Sequence, residues 1–193
     1  MHAPGVVKEL SCRGGVFLGY LEIKRLIEEG RLVVEPLRED TVRENGLDLR
    51  LGCEYAIPKT LNAVIDPVEM DDTDIQSMFE IRKGDVIIIP PRSFILAVTE
   101  EYIKLPEDVI GLCNLRSTLA RLGLSIPPTI ADAGFEGQLV LEIFNNNPNF
   151  IRLRPGIRFL HLVLAYVKDA KPYNGYYKGQ RGVRLPKSLS SEF

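Results

Sequence analysis

The apolar positions of the chain predict one early helix followed by many short strands. Between residues 20 and 29, Ile23, Leu26 and Ile27 recur at the spacing of one helical face, and Gly30 follows as a stop signal. Beyond Gly30 the apolar residues alternate with polar ones or form short runs bounded by turn residues, which is typical of strands. The candidate strands are 32–34, 47–51, 85–89, 94–99, 138–144 and 158–167.

This pattern favours a mainly β architecture. Many short strands separated by turns are typical of a sandwich or barrel-like domain and not of alternating βαβ units. A second, short helix is compatible with residues 115–122, and no repeat or linker divides the chain. We interpret the segment 66–80, which has six acids and no base, as a solvated loop. The expected organisation is therefore one domain.

Composition narrows the class of protein. The chain has 193 residues, 45% of them hydrophobic, with a net charge of −2, which suits a globular domain and not a general nucleic-acid binder. No apolar run reaches the roughly 18–20 residues of a membrane span, and the first 15 residues do not resemble a secretion signal. The three cysteines include no CxxC pair. We expect reduced thiols in a cytoplasmic protein that binds neither membranes nor nucleic acid.

The C-terminal third is basic. Residues 152–187 contain nine lysines or arginines and one acid, so the rest of the chain is acidic. A local positive region on an acidic body predicts a polyanion site, and the alternatives are a solvated tail or a subunit contact. Residues 168–187 show no strand or helix period and contain few apolar residues. We therefore expect this segment to order around a bound polyanion.

Histidine chemistry has little support. The chain has two histidines, of which His2 lies at the terminus and His161 lies in an apolar run that predicts a strand. We interpret His161 as a structural residue. Acid–base chemistry, if present, then falls to carboxylates.

The segment 111–142 holds the most informative chemistry. Arg116, Ser117, Thr118 and Arg121 place two guanidinium groups and two hydroxyls within about one turn of chain. Such a cluster can bind a phosphate chain, because arginine donates hydrogen bonds as a planar fork. An exposed helix with no function would often look the same.

A turn and a strand follow this cluster. Residues 132–137 contain two glycines that can adopt positive φ, and we expect a β-hairpin there. In the strand after it, Glu142 shares a face with Val140 and Phe144. A carboxylate on an apolar face needs a partner or a function. The structural alternative is a buried salt bridge from Glu142 to an arginine.

These residues carry a family resemblance. The runs RSTLARLGL (116–124) and DAGFEGQLVLEI (132–143) resemble the signature of the trimeric dCTP deaminase and dUTPase superfamily, on its dCTP deaminase side. Residues 19–37, 45–52, 94–106, 172–175 and 179–182 resemble further family segments in the same order. The resemblance covers about residues 19–187. Residues 1–18 look like an extension, 19–167 the β domain, and 168–193 a nucleotide-closing lid of that domain.

The resemblance implies a β-clip, or distorted jelly-roll barrel, with an N-terminal helix and a short helix after the arginine motif. It also implies a homotrimer with active sites between subunits and a magnesium ion carried by the triphosphate. By position, Glu142 resembles the catalytic glutamate, Ser117 the serine beside the reacting carbon, and Arg121 the arginine that steadies the glutamate. Zinc deaminases carry HxE and PCxxC motifs, which this chain lacks, so no zinc is expected.

The same resemblance implies a set of nucleotide contacts. Arg116 and Thr118 fall on phosphate-contacting positions, and Asp132 on the aspartate that contacts the sugar 3′-hydroxyl. Val140 and Leu141 fall where the backbone meets the base and sugar. The lid positions are Tyr173 and Gln180, with Lys178 as a substitute for the lysine that the family has at the position of Tyr176.

The alternatives differ in reaction. The expected activity converts dCTP to dUTP and ammonia within pyrimidine deoxynucleotide metabolism, with dTTP as an inhibitor. The linker 125–131 is about two residues shorter than in many deaminases, and Phe135 lies where dUTPases stack an aromatic ring. These two features favour the alternative, a dUTP pyrophosphatase, whereas the run RSTLARLGL, Glu142 and the Gly-Gln-Arg-Gly run at 179–182 favour the deaminase. A bifunctional enzyme, which deaminates dCTP and then hydrolyses dUTP, is also open. A third interpretation is a jelly-roll binding module without catalytic activity.

Overall fold

The structure is a computed structural model that describes residues 16–60 and 64–190. Antiparallel strands dominate it, with three helices in the described ranges. The helices are α1 (Tyr20–Glu28), α2 (Asp72–Ser77) and α3 (Ser117–Arg121). The strands are β1 (Val33–Glu35), β2 (Val42–Arg43), β3 (Gly46–Pro58), β4 (Phe79–Lys83), β5 (Ile87–Ile89), β6 (Ser93–Lys104), β7 (Val109–Leu115), β8 (Leu124–Ser125), β9 (Thr129–Ala131), β10 (Glu136–Asn145), β11 (Ile151–Leu153) and β12 (Arg158–Tyr166).

The strands form one curled sheet whose order is β8-β10-β6-β3-β12-β7-β9. Strand β3 joins the two halves, since its beginning pairs with β12 and its end pairs with β6 and β4. The bend needs a glycine. A Cβ on Gly52 would lie 2.8 Å from the carbonyl oxygen of Val98, too close for any side chain. The result is the mainly β, distorted jelly-roll fold that the resemblance implied.

The core lies inside the curl of the sheet. Leu47, Leu49 and Leu51 on β3 alternate with polar residues and are fully buried, as are Phe159 and Leu160 on β12. Helix α1 covers one end with its apolar face, as predicted. A smaller cluster on the outer side consists of Ala56, Leu96, Val98 and Val183, and Val183 comes from the C-terminal segment.

Each candidate strand of the sequence is present, with different lengths. Strand β3 continues to Pro58 and β6 continues to Lys104, well past the predicted ends. The predicted helix 115–122 is confirmed as the shorter α3. Helix α1 ends as expected, because Gly30 adopts φ +67° directly after its last turn.

The acidic segment 66–80 is not a loop throughout, so that prediction was wrong. It contains α2 and the start of β4. Asp71 caps the helix, because its side chain accepts a hydrogen bond of 2.8 Å from the Asp74 amide. Acids in the first turn of a helix are favourable, which explains the charge pattern without a metal site.

The predicted hairpin at residues 132–137 was also wrong. The glycines do adopt positive φ, +73° at Gly134 and +147° at Gly137. The strands on either side have different partners, however: β9 pairs with β7, whereas β10 pairs with β6 and β8. The turn therefore carries the chain from one half of the curled sheet to the other.

The termini pack on the barrel. Phe17 bridges Ala165 on β12, so residues 16–18 of the expected extension lie against the domain, and residues 1–15 lie outside the described residues. The segment 168–190, here termed the strap, has almost no regular structure but is anchored by Val183, which is 6% exposed. The expectation that this segment orders around a bound polyanion stays a prediction. No helix in the described ranges is long and apolar enough to cross a membrane.

Candidate active site

A cavity of about 510 Å³ lies between the outer face of the β6–β10 pair and the strap. The alternation of β10 builds it, because Leu141 and Ile143 point into the core while Val140 and Glu142 face the cavity. The lining residues are Phe79, Phe94, Leu96, Thr129, Ile130, Ala131, Asp132, Phe135, Leu139, Val140, Glu142, Tyr173, Tyr177, Gln180, Arg184 and Pro186.

Glu142 is a half-buried carboxylate opposite Leu96 on β6. It makes no hydrogen bond or ion pair with any part of the chain that the structure describes. The structural alternative, a salt bridge to an arginine of the same chain, is thus not formed. The expected contact between Arg121 and Glu142 is not formed within one chain either. A carboxylate that is unpaired in an apolar wall can accept a proton from a bound molecule.

The Glu142 carboxylate contributes to raised pKa values of two nearby side chains, Cys113 and Tyr177. Burial raises the pKa of the Cys113 thiol to about 12, and the Glu142 carboxylate adds to the rise. Burial also raises the pKa of Tyr177, with smaller contributions from Tyr176, Tyr173 and Glu142. Both groups are therefore neutral at physiological pH, and Glu142 faces uncharged neighbours on these two sides.

Aromatic rings form much of the wall. The rings of Phe135 and Tyr173 lie 5.9 Å apart, and those of Phe94 and Phe144 stack at 5.3 Å. Asp132 is exposed at the edge, and its carbonyl accepts a hydrogen bond of 2.9 Å from the Phe135 amide. An apolar slot with one carboxylate inside and one at the edge suits a planar, polar ring attached to a hydroxylated group.

The strap closes the cavity through hydrogen bonds to β10 and β3. The Gln180 side-chain amide donates to the Gln138 carbonyl at 2.7 Å, and the Gly182 amide donates to the Gln138 side chain at 2.8 Å. The Val183 amide donates to the Glu54 carboxylate at 2.6 Å. Gln180 is buried, and its side-chain oxygen has no partner among the described residues.

Other strap residues have different positions. Lys178 is exposed and does not line the cavity. Tyr176, at the position of the family lysine, packs edge-on against Tyr177. Arg184 lies over the Tyr176 ring at 4.9 Å and lines the cavity. Sequence reasoning missed both Tyr177 and Arg184. Tyr177 had a signal, since it lies within the lid segment, but nothing in the local pattern indicated Arg184.

The predicted phosphate-binding cluster lies outside the cavity. Ser117, Thr118 and Arg121 on α3 are exposed, and their side chains make no hydrogen bond or ion pair within the described ranges. Arg116, just before α3, pairs through Nε with Asp48 at 3.3 Å. Among the predicted site residues, the structure brings Asp132, Val140, Glu142, Tyr173 and Gln180 together. It leaves those of α3 on a separate surface.

No group of three His, Cys, Asp or Glu side chains in residues 16–60 and 64–190 is arranged to hold a metal ion. His161, as expected, is a strand residue, and its Nδ1 lies 2.8 Å from the Asp48 carboxylate. The carboxylates that line the cavity are those of Asp132 and Glu142.

The fold is a curled β-barrel with an apolar cavity, and the Glu142 carboxylate in the cavity wall has no partner among the described residues. A family model described as dCTP deaminase-like matches residues 17–167. The chain belongs to the dCTP deaminase family.

Individual relatives agree with the family model. A dCTP deaminase of Pyrobaculum neutrophilum is 57% identical over 171 residues, which cover 89% of this chain and 96% of the relative. One of Caldivirga maquilingensis is 58% identical over 172 residues, with the same coverage. The crystal structure of 2′-deoxycytidine 5′-triphosphate deaminase from Agrobacterium tumefaciens superposes with a TM-score of 0.62 at 22% identity, which supports the fold. The match covers 78% of this chain and 48% of that one, so the chain spans about half its length.

Proposed function

We propose that this protein hydrolytically deaminates dCTP to dUTP and ammonia, with Glu142 as the general base. The observation that carries the proposal is the Glu142 carboxylate, unpaired in an apolar cavity that admits a planar ring. Relatives that are 56–58% identical over most of their length bear the name of this activity. The product feeds deoxyuridine and thymidine nucleotide synthesis. The reduced thiols and the nucleotide substrate suit the cytoplasm.

The reaction needs one water molecule and one proton carrier. Glu142 takes a proton from water as the oxygen bonds to C4 of cytosine, and it then delivers that proton to the departing amine. The C4–N bond breaks and ammonia leaves. The second proton of the water passes from the new C4 hydroxyl to N3, which gives the C4 carbonyl and the N3–H of uracil. This route assigns to a carboxylate the proton transfers that zinc deaminases also give to a glutamate, and it requires no zinc.

The rest of the catalytic set comes from a neighbouring subunit. The hydroxyl of Ser117, the guanidinium of Arg121 and the carboxylate of Glu142 lack partners among the residues that the structure describes. A homotrimer that places α3 of one subunit at the cavity of the next satisfies all three groups. Arg121 then orients Glu142 and keeps it ionised, and Ser117 hydrogen-bonds the attacking water.

The remaining contacts hold the substrate. Arg116 and Thr118 bind phosphate oxygens of the triphosphate, which arrives as its magnesium complex, so Mg²⁺ is part of the substrate. Asp132 accepts the sugar 3′-hydroxyl, and the backbone at Val140 and Leu141 meets the base and sugar. From the strap, Tyr173 and Gln180 close over the nucleotide, and Lys178 approaches the phosphates.

Product analysis tests this proposal. The protein is incubated with dCTP and Mg²⁺ after exhaustive zinc chelation, and dCTP, dUTP, dUMP, diphosphate and ammonia are quantified. We expect dUTP and ammonia in equal amounts and no loss of rate on chelation. Accumulation of dUMP would show that a second, hydrolytic step follows. Hydrolysis of added dUTP without ammonia from dCTP would overturn the proposal, as would activity lost together with bound zinc.

A further inference from the structure

Asp48 on β3 is a buried carboxylate surrounded by three basic side chains. The residue is 3% exposed. One oxygen, Oδ1, lies 2.8 Å from His161 Nδ1. The other, Oδ2, lies 3.3 Å from Arg116 Nε and 3.3 Å from Arg158 Nη1. These partners come from β12 and from the residue before α3, so Asp48 connects the barrel to the start of the arginine motif.

Further ion pairs connect Arg158 of this cluster to the barrel. Arg158 also lies 3.5 Å from Asp40, Asp40 pairs with Arg50, and Arg50 pairs with the fully buried Glu101 at 3.2 Å. Burying a carboxylate is unfavourable unless its oxygens are satisfied. With partners on both oxygens, the Asp48 carboxylate has little freedom to move.

Arg116 is the member of this cluster that reaches solvent. Its backbone amide donates to the Phe159 carbonyl at 3.1 Å, and its side chain remains 34% exposed. Because Asp48 contacts Nε, the two terminal nitrogens stay free of hydrogen bonds to the described residues. A guanidinium held at Nε presents its terminal nitrogens as a fixed fork, which is the geometry that recognises phosphate oxygens.

We propose that Asp48 is a positioning residue that holds the Arg116 guanidinium ready for the triphosphate of the substrate. The inference rests on the proposed function, since it takes Arg116 as a phosphate contact. Asp48 itself touches no substrate. It reduces the side-chain freedom that Arg116 would lose on binding. His161, so far a structural residue, fixes Asp48 through the other oxygen.

The substitution Asp48→Asn tests this through binding. In a Glu142→Gln background, which prevents turnover, the Kd for Mg·dCTP should rise about 3- to 10-fold, the range for freeing one long side chain. The Kd for deoxycytidine, which has no phosphate, should change less than about 2-fold. Asp40→Asn is the matched control, because Asp40 belongs to the same charge network but does not contact Arg116. It should leave both constants unchanged.

A double-mutant cycle separates positioning from general stability. If Asp48 acts through Arg116, then Asp48→Asn should add nothing to the Kd of an Arg116→Gln variant. Additive effects of the two substitutions would overturn the inference, as would equal weakening of dCTP and deoxycytidine binding.

A second variant keeps the test decisive if Asp48→Asn does not fold. Arg116→Lys keeps the positive charge on an exposed site but has no Nε to pair with Asp48 and no fork. It should weaken Mg·dCTP binding nearly as much as Arg116→Gln. Retention of wild-type affinity by Arg116→Lys would contradict the inference. Failure of the parent protein to bind Mg·dCTP at all would instead overturn the proposed function.

Discussion

At the scale of single residues, the proposed chemistry depends on how the protein surrounds Glu142. Its neighbours Cys113 and Tyr177 are held neutral, and no cation of the described chain pairs with it. A general base needs an oxygen free to accept a proton from water within hydrogen-bond reach. In one chain Glu142 has that freedom, and the proposed trimer adds the arginine that orients it.

We predict that Glu142→Gln lowers the turnover number for dCTP by about 10²- to 10⁴-fold, the usual loss for a missing general base. The amide is nearly isosteric but cannot take the proton, so the Kd for dCTP should change little. Steady-state ammonia release and equilibrium binding measure the two quantities. Glu136→Gln is the control on the same strand, because Glu136 accepts from Tyr102 and does not line the cavity. Retention of more than about a tenth of the rate by the Glu142 variant would refute its role.

A second residue-scale prediction concerns Cys113. With a pKa of about 12, only about one thiol in 10⁴ is ionised at pH 8, and the thiolate is the reactive form. Because the pKa is raised, reactivity should increase only as the pH approaches 12. Iodoacetamide at pH 8, followed by peptide mass spectrometry, should label the half-buried Cys53 and spare Cys113 until the protein is denatured. Equal labelling of both in the native protein would show that Cys113 is not buried beside Glu142.

The sequence predicts a candidate site residue best where the indication lies in the neighbouring residues of the chain. Asp132 was identified through the family resemblance, and Glu142 was also recognisable from the sequence because the period of a strand shows which residues share a face. Arg184 was not, since its place in the cavity depends on the path of a strap without period. Asn145 carries no functional signal in the sequence, yet it is 1% exposed and donates to the carbonyls of Ile89 and Pro90. Such contacts join distant segments, and no local pattern indicates them.

At the scale of elements, the strap is the least regular part of the structure and a large contributor to the cavity. One of the groups that attach it is the carboxylate of Glu54, which accepts a hydrogen bond from the Val183 amide. Gly182, with φ +70°, packs against that carboxylate so closely that a Cβ would overlap it. The segment around Gly182 is therefore one of several places where the strap is hydrogen-bonded to the barrel.

Gly182→Ala should loosen the strap and raise the KM for dCTP about 5-fold or more, because it displaces Glu54 and strains a positive φ. Gly179→Ala is the matched control: Gly179 has φ +73°, but an added Cβ meets nothing within 4 Å. Gly179→Ala therefore introduces the same backbone strain as Gly182→Ala but no steric contact, and the KM for dCTP should rise less than about 2-fold. Equal effects of the two variants would show that the contact with Glu54 does not hold the strap.

The elements themselves were predictable to different degrees. Helix α1 and the core strands were predicted because burial on one face produces a clear period. The second half of β3 was missed, since Cys53, Glu54 and Tyr55 lie where the strand changes partners and the alternation is broken. The acidic helix α2 was missed because the N-cap residue Asp71 lies among other acids, and the whole acidic segment was interpreted as a solvated loop. Partner choice was not predictable at the turn after β9, where a hairpin was expected.

At the scale of the whole molecule, the described chain contains two incomplete sets of site residues. Glu142 in the cavity has no arginine partner among the described residues, and Ser117 and Arg121 on α3 have no carboxylate partner there. The resemblance implied that subunits share their active sites, and the exposed, unpaired side chains of Ser117 and Arg121 support this arrangement. A single-chain sequence shows which residues are needed but not which subunit provides them.

Subunit mixing tests the shared site most directly. Glu142→Gln and Arg121→Ala should each be nearly inactive in deaminating dCTP. When the two are dissociated, mixed in equal amounts and reassembled, about a quarter of the sites regain both native halves by random combination. Ammonia release from dCTP should therefore recover to about a quarter of the wild-type rate. If the mixture stays as inactive as its components while wild-type protein survives the same treatment, each site takes both residues from one chain and the account is wrong.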